Sequence, residues 1–387
     1  MRVLHLVHWL SEAGGIENFL LQVIAALPRR DIVNEVVYLG HAPGGLASEY
    51  ERLGVKVWGC RMQRNFFSFT RRFRRELRSR PTFDVLHAHA SNFGGPALSA
   101  ARSLGIPVRL SHYHNMAGGH KNDIIRQLVE RWLHGSVMRH STGLISGTWA
   151  GLQFWFPKQW RSDPRMRVIR YGIPFDMFAK ADGREEIRGE LGVPNGAPLI
   201  GHVGRFVWQK NHELLVRAAQ RVIQKRPDAR FVLIGDGELR PRLAALIDEL
   251  GLTERVRLTG VRRDVPRLYQ AMDLFAFPSK IEGLGNAQLE AQAAGLPVVA
   301  CNIPTAREAV AQEFFKYHRE PTDVDGFADA ILTALEDVQK QPQLRDVARR
   351  FAAHFTIESS AQAMMAAWGV PGVSPPPDPV PRPIQGK

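Results

Sequence analysis

Cysteine is nearly missing: Cys60 and Cys301 are the only two among 387 residues. Thiols so far apart in sequence supply neither a metal cluster nor a disulfide framework, and they fit a reducing compartment. No apolar run approaches the roughly 20 residues needed to cross a bilayer. Met1 to His8 has a strand pattern and lacks the charged n-region and long apolar core of a signal peptide, so any membrane contact is expected to be peripheral. There is no repeat at a solenoid period. A Gly-x-Gly-x-x-Gly after a strand, with an acid about 20 residues on, is also missing, which argues against a nicotinamide-dependent dehydrogenase. Acidic residues are outnumbered, 38 against 51 Lys and Arg, for a net charge of +13.

That surplus favours anionic partners: phosphates, nucleic acid or an anionic bilayer. It is concentrated. Arg61 to Arg80 contains eight Arg and one Glu, a net of +7 in twenty residues. Phe66, Phe69, Phe73 and Leu77 fall on one helical face, with Arg71, Arg72, Arg74, Arg75 and Arg78 around the rest. Such a helix would lie on an anionic membrane or bind lipid phosphate. Alternatively, its apolar face joins a core and only the arginines stay outside. A nucleic-acid-binding protein would spread its basic residues along a groove among stacking aromatics, so the clustering counts against that class.

The hydrophobic fraction of 44% over this length supports two packed cores. Strand patterns at Val3–Val7, Val33–Leu39, Val55–Trp58, Val85–His89 and Val108–Ser111 alternate with helical ones. After Gly172 and Pro174 the rhythm restarts at Leu199–Val203, Phe231–Ile234, Val256–Thr259, Leu274–Phe277 and Pro297–Ala300. Repeated βα order predicts an α/β protein with two parallel-sheet domains. The expected division is residues 1–175 and 176–351. Seven prolines between Gly369 and Lys387 predict a disordered tail.

The most specific motif runs from Ser279 to Val299. Glu282 and Glu290 stand eight positions apart, and Gly283 and Gly285 keep the first of them on a loop. A helix is expected to begin near Asn286 and to carry Glu290 in its first turns. Its free N–H groups and positive dipole end form an anion site. A carboxylate there can accept two ribose hydroxyl protons, as in dinucleotide folds. Gly201-His-Val-Gly-Arg-Phe-Val-Trp-Gln-Lys-Asn places Arg205 at a strand end and Lys210 five residues later, two cations suited to a diphosphate.

The Glu-x7-Glu motif and the closing Glu-Ala-Gln-Ala-Ala-Gly-Leu-Pro resemble those of the retaining glycosyltransferases of family 4, in the branch that assembles bacterial exopolysaccharides. The resemblance spans residues 1–368. It implies the GT-B fold, two Rossmann-like domains facing a central cleft, with a helix at about 352–368 crossing back to the first. It implies transfer of a hexose or N-acetylhexosamine from a nucleotide-diphosphate sugar, by default a UDP-sugar, to a saccharide or polyprenyl-diphosphate-linked acceptor. The implied setting is cell-surface polysaccharide synthesis, at the inner face of a bacterial plasma membrane. By the same resemblance, Arg205 and Lys210 clamp the diphosphate, and Glu282 lies by the sugar as the candidate nucleophile should double displacement operate instead of front-face attack. Gly14 and Gly15 reach the donor's phosphate or sugar. His114 faces the sugar, with His112 as second choice. Gly235 and Gly237 line the nucleotide site and Val261 approaches the base. No metal or other cofactor is expected, since Asp323-Val-Asp325 suits a helix cap better than a metal site. The rival reading with intact motifs is a nucleotide-sugar-binding protein without catalysis.

Overall fold

The computed structural model describes residues 1–12, 15–27, 31–62, 65–116, 124–180 and 182–382. The chain folds as two compact units, Met1–Gly172 with Ile357–Lys387, and Ile173–Thr356.

The first unit holds β1 (Arg2–Val7), β2 (Val33–Tyr38), β3 (Lys56–Gly59), β4 (Val85–Ala88), β5 (Val108–Tyr113), β6 (Gly143–Ser146) and β7 (Met166–Val168). They form one parallel sheet in the order β3-β2-β1-β4-β5-β6-β7. The last two strands are not among those expected from sequence. Side chains alternate between faces. Leu4, Leu6, Leu86, Ala88 and Tyr113 share one face and pack into a core with Phe69, Phe73 and Leu77 of the helix Phe66–Arg78. Asn65 starts that helix by accepting from the backbone N–H groups of Phe67 and Ser68, at 3.1 and 3.0 Å.

This corrects the picture of a helix laying its phenylalanines in a membrane: Phe69 and Phe73 are fully buried in the sheet core. Apolar side chains at spacings of three and four join whatever apolar surface is nearest, and here the sheet provides it. The arginines stay outside.

The helix Ile357–Trp368 belongs to the first unit and packs against the helix Gly15–Ala26. The expectation of a disordered tail is corrected for residues 369–382. Asp378 accepts from Arg170 Nε and Nη2 at 2.9 and 3.1 Å and from Trp149 Nε1 at 3.1 Å. The Arg382 guanidinium stands over the Trp149 and Trp160 rings, at 5.2 and 5.5 Å. Proline restricts the unfolded chain, so fixing this strap costs less entropy than its length suggests. Residues 383–387 lie outside the described residues.

The second unit holds β8 (Leu199–Val203), β9 (Arg230–Ile234), β10 (Val256–Gly260), β11 (Leu274–Phe277) and β12 (Val298–Ala300), parallel in the order β10-β9-β8-β11-β12. Every strand therefore ends on the same edge, the edge where open α/β sheets bind ligands. Asp323 begins the helix Val324–Lys340 by accepting from the Gly326 N–H at 2.8 Å, and Asp325 pairs with Arg221.

Candidate functional site

Three loops meet at the carboxyl edge of the second sheet. The loop after β9 presses against the loop after β8. A Cβ on Gly235 would lie 2.0 Å from Gly204 O, and one on Gly237 would lie 2.6 Å from Phe206 O. Glycine is required at both for this approach, since a side chain would collide with backbone. Phe206 N–H donates to Asp236 O at 2.8 Å and Leu239 N–H to Phe206 O at 3.0 Å, which fixes the loop that carries Arg205. Arg205 is exposed and pairs with no carboxylate among the described residues.

Lys210 ends a short 3-10 turn, Trp208–Lys210, and its Nζ donates to Glu282 Oε1 at 2.6 Å. Glu282 lies on the loop after β11. The two are about one-fifth exposed or less, 18% and 12%, so the pair is partly dehydrated and stronger than a surface ion pair. Asn211 braces Lys210 from the next position, donating to Pro278 O and Pro321 O at 3.1 and 2.9 Å. Gly285 precedes the helix Asn286–Ala293 with φ of +85°, and a Cβ there would strike Phe277 and Gln288. No side chain caps this helix; Gln288 N–H turns back to Gly285 O at 3.1 Å, and the first two N–H groups, of Asn286 and Ala287, face the loop side where an anion can bind. Asn286 is its first residue and half-buried.

Glu290, on the second turn, is half-buried and accepts from the Tyr269 hydroxyl at 3.0 Å. Burial raises its carboxyl above the usual range, while the Tyr269 hydrogen bond and the Lys210 charge pull it back. Val261 follows β10 and is exposed, beside Gly260, whose carbonyl accepts from Gly235 N–H at 2.9 Å. The second unit thus gathers Arg205, Lys210, Gly237, Val261, Glu282, Gly283, Gly285, Asn286 and Glu290 on loops and a helix start at one sheet edge.

The remaining candidates belong to the first unit. Gly14 lies outside the described residues. Gly15 opens its helix, and an added Cβ would meet nothing within 4 Å, so packing does not demand glycine there. His114 is buried with both ring nitrogens engaged, one to Tyr171 Oη at 2.5 Å and the other to His89 at 3.0 Å.

His114 is one of five histidines that line a single face of the first sheet, a feature that the sequence motifs do not announce. His5 stands on β1, His87 on β4, His89 just past its end, and His112 and His114 at the end of β5. The signal was present in His87-Ala-His89 and His112-Tyr-His114: a period of two on neighbouring strands puts all four on one face. His5 bonds Asn34 Oδ1 at 3.1 Å and His89 at 3.2 Å; His87 bonds His112 at 3.2 Å. The Trp368 indole N–H donates to His87 Nδ1 at 3.2 Å. An indole only donates, so neutral His87 carries its proton on Nε2 and donates that N–H to His112 Nδ1. Likewise Asn34 Oδ1 accepts from His5 Nε2, which sets Nε2–H along His89 and His114 and makes Tyr171 the final donor. Burial holds His5 down to about 4 and His114 to about 3, and keeps His87, His89 and His112 well below the ordinary range, so all five are neutral.

Two triads, His5-His87-His89 and His89-His112-His114, have ring nitrogens within 4.8 Å of one another, a spacing a transition metal could use. Their lone pairs are nevertheless committed to neighbours; the one ring atom of the five without a partner, His112 Nε2, carries the proton, since Nδ1 accepts from His87.

Comparison with known proteins agrees with both units. Residues 14–172 match the family model "Glycosyl transferase 4-like domain" and residues 183–351 match "Glycosyl transferases group 1". The chain is 30% identical over 266 residues to the UDP-Gal:alpha-D-GlcNAc-diphosphoundecaprenol alpha-1,3-galactosyltransferase of Escherichia coli, covering 68% of this chain and 69% of that one. It is 28% identical over 399 residues to a D-inositol 3-phosphate glycosyltransferase of Stackebrandtia nassauensis, covering 93% and 87% of the two chains. In fold it is similar to Anabaena HepE in complex with UDP, with a TM-score of 0.80 at 23% identity over 95% of this chain and 100% of that one. The chain belongs to the family 4 glycosyltransferases, with the GT-B fold.

Proposed function

We propose that this glycosyltransferase moves a hexose or N-acetylhexosamine from a UDP-sugar to a saccharide or polyprenyl-diphosphate-linked acceptor, with retention of anomeric configuration and without a metal. The observation that carries the donor reading is the grouping of Arg205, the Lys210–Glu282 pair, the uncapped helix at Asn286 and the Glu290 carboxylate on one sheet edge. Arg205, Lys210 and the helix N–H groups would neutralise the departing diphosphate, the task a divalent cation performs elsewhere. Glu290 would accept from the ribose hydroxyls. Glu282 is already ion-paired with Lys210 at 2.6 Å, which weakens it as a nucleophile and favours front-face attack. In that step the C1–O bond to phosphate breaks, the acceptor oxygen bonds C1 on the same face, and its proton passes to the leaving phosphate. The uridine donor is supported by the names of the E. coli relative and of the UDP complex of HepE, and the lipid-linked acceptor by the former.

The test is a panel of nucleotide-sugars incubated with purified protein, reading nucleoside diphosphate release. Release from one UDP-sugar, unchanged by EDTA, is the expected result. Loss of release in EDTA would overturn the metal-free reading. Donor binding without turnover, even with polyprenyl-diphosphate saccharides present, would favour the binding-protein alternative.

We further propose peripheral contact with an anionic membrane, at the inner face of the bacterial plasma membrane, through the first unit. Arg71, Arg75 and Arg78 are exposed, with Arg72 and Arg74 half-buried beside them, around a basin of about 690 Å³. The apolar partner is not the stripe read from sequence but a neighbouring one: Phe67, Ile124, Ile125, Leu128 and Trp132 are all exposed. Trp132 touches Phe66 and Phe67, at 5.7 and 5.8 Å between rings, so the apolar and basic surfaces are continuous. No described helix is long and apolar enough to cross a membrane. Replacing Arg71, Arg75 and Arg78 together by Glu should lower binding to vesicles rich in anionic lipid at least about 100-fold, at roughly 1 kcal/mol per charge. Co-sedimentation equal to that of the unaltered protein would sink the idea.

A further inference from the structure

Tyr269 sits on the helix Val265–Ala271, outside every motif that marks the donor site. Its ring is fully buried, edge-on to Phe178 and Phe275 at 5.8 and 5.5 Å, so the phenol has one position. From there the hydroxyl lies 3.0 Å from Glu290 Oε2 and 3.1 Å from Ala287 O. The single phenol proton is thus shared between the carboxylate and the first turn of the helix that bears it. Burial and the neighbouring carboxylate push the phenol well above its ordinary range, so it stays a donor at any working pH.

A free glutamate on a helix samples many rotamers, and ordering it costs up to about 2 kcal/mol. Tyr269 has already ordered this one. It holds Oε2, while Oε1 has no protein partner among the described residues and stays open to a diol. We propose that Tyr269 is a positioning residue that confers preference for a ribonucleoside over a deoxyribonucleoside diphosphate, by presenting the Glu290 carboxylate in one orientation. The inference rests on the reading of Glu290 as the ribose acceptor.

The experiment is calorimetric titration of UDP and 2′-deoxy-UDP into the unaltered protein, Tyr269→Phe and Glu290→Gln, with donor kinetics alongside. The unaltered protein should bind UDP at least tenfold more tightly than the deoxy form. Tyr269→Phe should weaken UDP about five- to fifteenfold, the loss expected for one well-placed hydrogen bond, and weaken 2′-deoxy-UDP, which keeps only the 3′ hydroxyl for Glu290, at least threefold less than it weakens UDP. Donor KM should rise while kcat at saturation changes less than threefold. Equal weakening of both nucleotides would show a merely structural tyrosine, and no weakening would show that Glu290 needs no support; either overturns the proposal. Failure of the underlying reading looks different: the unaltered protein and Glu290→Gln would bind both nucleotides alike, or the unaltered protein would bind neither.

Discussion

Acidification from pH 7.5 to 5.5 should destabilise the first unit strongly, and more than the second. Its five clustered histidines are buried and neutral, with folded pKa values of about 4 for His5, about 3 for His114 and well below 6.5 for the others. In the unfolded chain each titrates near 6.5, so between the two values the unfolded state binds more protons and stability falls as the pH drops. One unit below the unfolded value, each histidine costs about 1.4 kcal/mol. Five cost roughly 7 kcal/mol, comparable with the roughly 5–15 kcal/mol that holds a typical domain. The second unit has three such groups, His202, His212 and His318, and should lose only about 4 kcal/mol over the same interval. Urea titrations at pH 7.5, 6.5 and 5.5, followed by hydrogen exchange in peptides from each unit, check both statements. The expected order is loss of protection first in His5, His87 and His112 peptides. Identical midpoints at all three pH values would show that the histidines are hydrated or already charged.

Lys210→Ala should reduce kcat about 10²–10³-fold, the usual cost of one preorganised group facing developing charge. The donor KM should rise by much less, because diphosphate charge grows as the sugar departs. The single change also strands Glu282, partly buried, without its cation. A Lys210→Ala/Glu282→Ala double variant separates the two effects: it should regain melting temperature over Lys210→Ala yet recover none of the lost kcat. A double variant with restored turnover would mean that Lys210 serves only to neutralise Glu282.

These expectations stand on different amounts of sequence. The loops of the proposed donor site were legible where their requirements are local. Gly285 is imposed by its positive φ, and Glu282 and Glu290 stand on a loop and a helix only eight residues apart, whereas Gly235 and Gly237 answer to Gly204 and Phe206 on another loop. Parallel βα order was legible for the same reason, although β6 and β7 escaped. The Arg-rich helix was legible as amphipathic, but which surface its phenylalanines would meet was not: period 3.6 reports a face and never its partner.

By itself, then, the sequence determined the two parallel-sheet units, the motif of two carboxylates and two cations that we assign to the donor, and the location of the basic cluster. Each is set by residues near one another in the chain. Tertiary structure alone decided the rest. It closed Lys210 onto Glu282 across 72 residues, put Tyr269 under Glu290, and joined Trp368 to His87 across 281. It clamped a proline-rich strap through Asp378 and Arg170 and moved the exposed apolar patch from the phenylalanine stripe to Ile124, Ile125, Leu128 and Trp132. The physical reason is common to all of these. A hydrogen bond or a buried face depends on which two distant segments become neighbours, and that is fixed by the packing of whole sheets, not by any pattern within one segment.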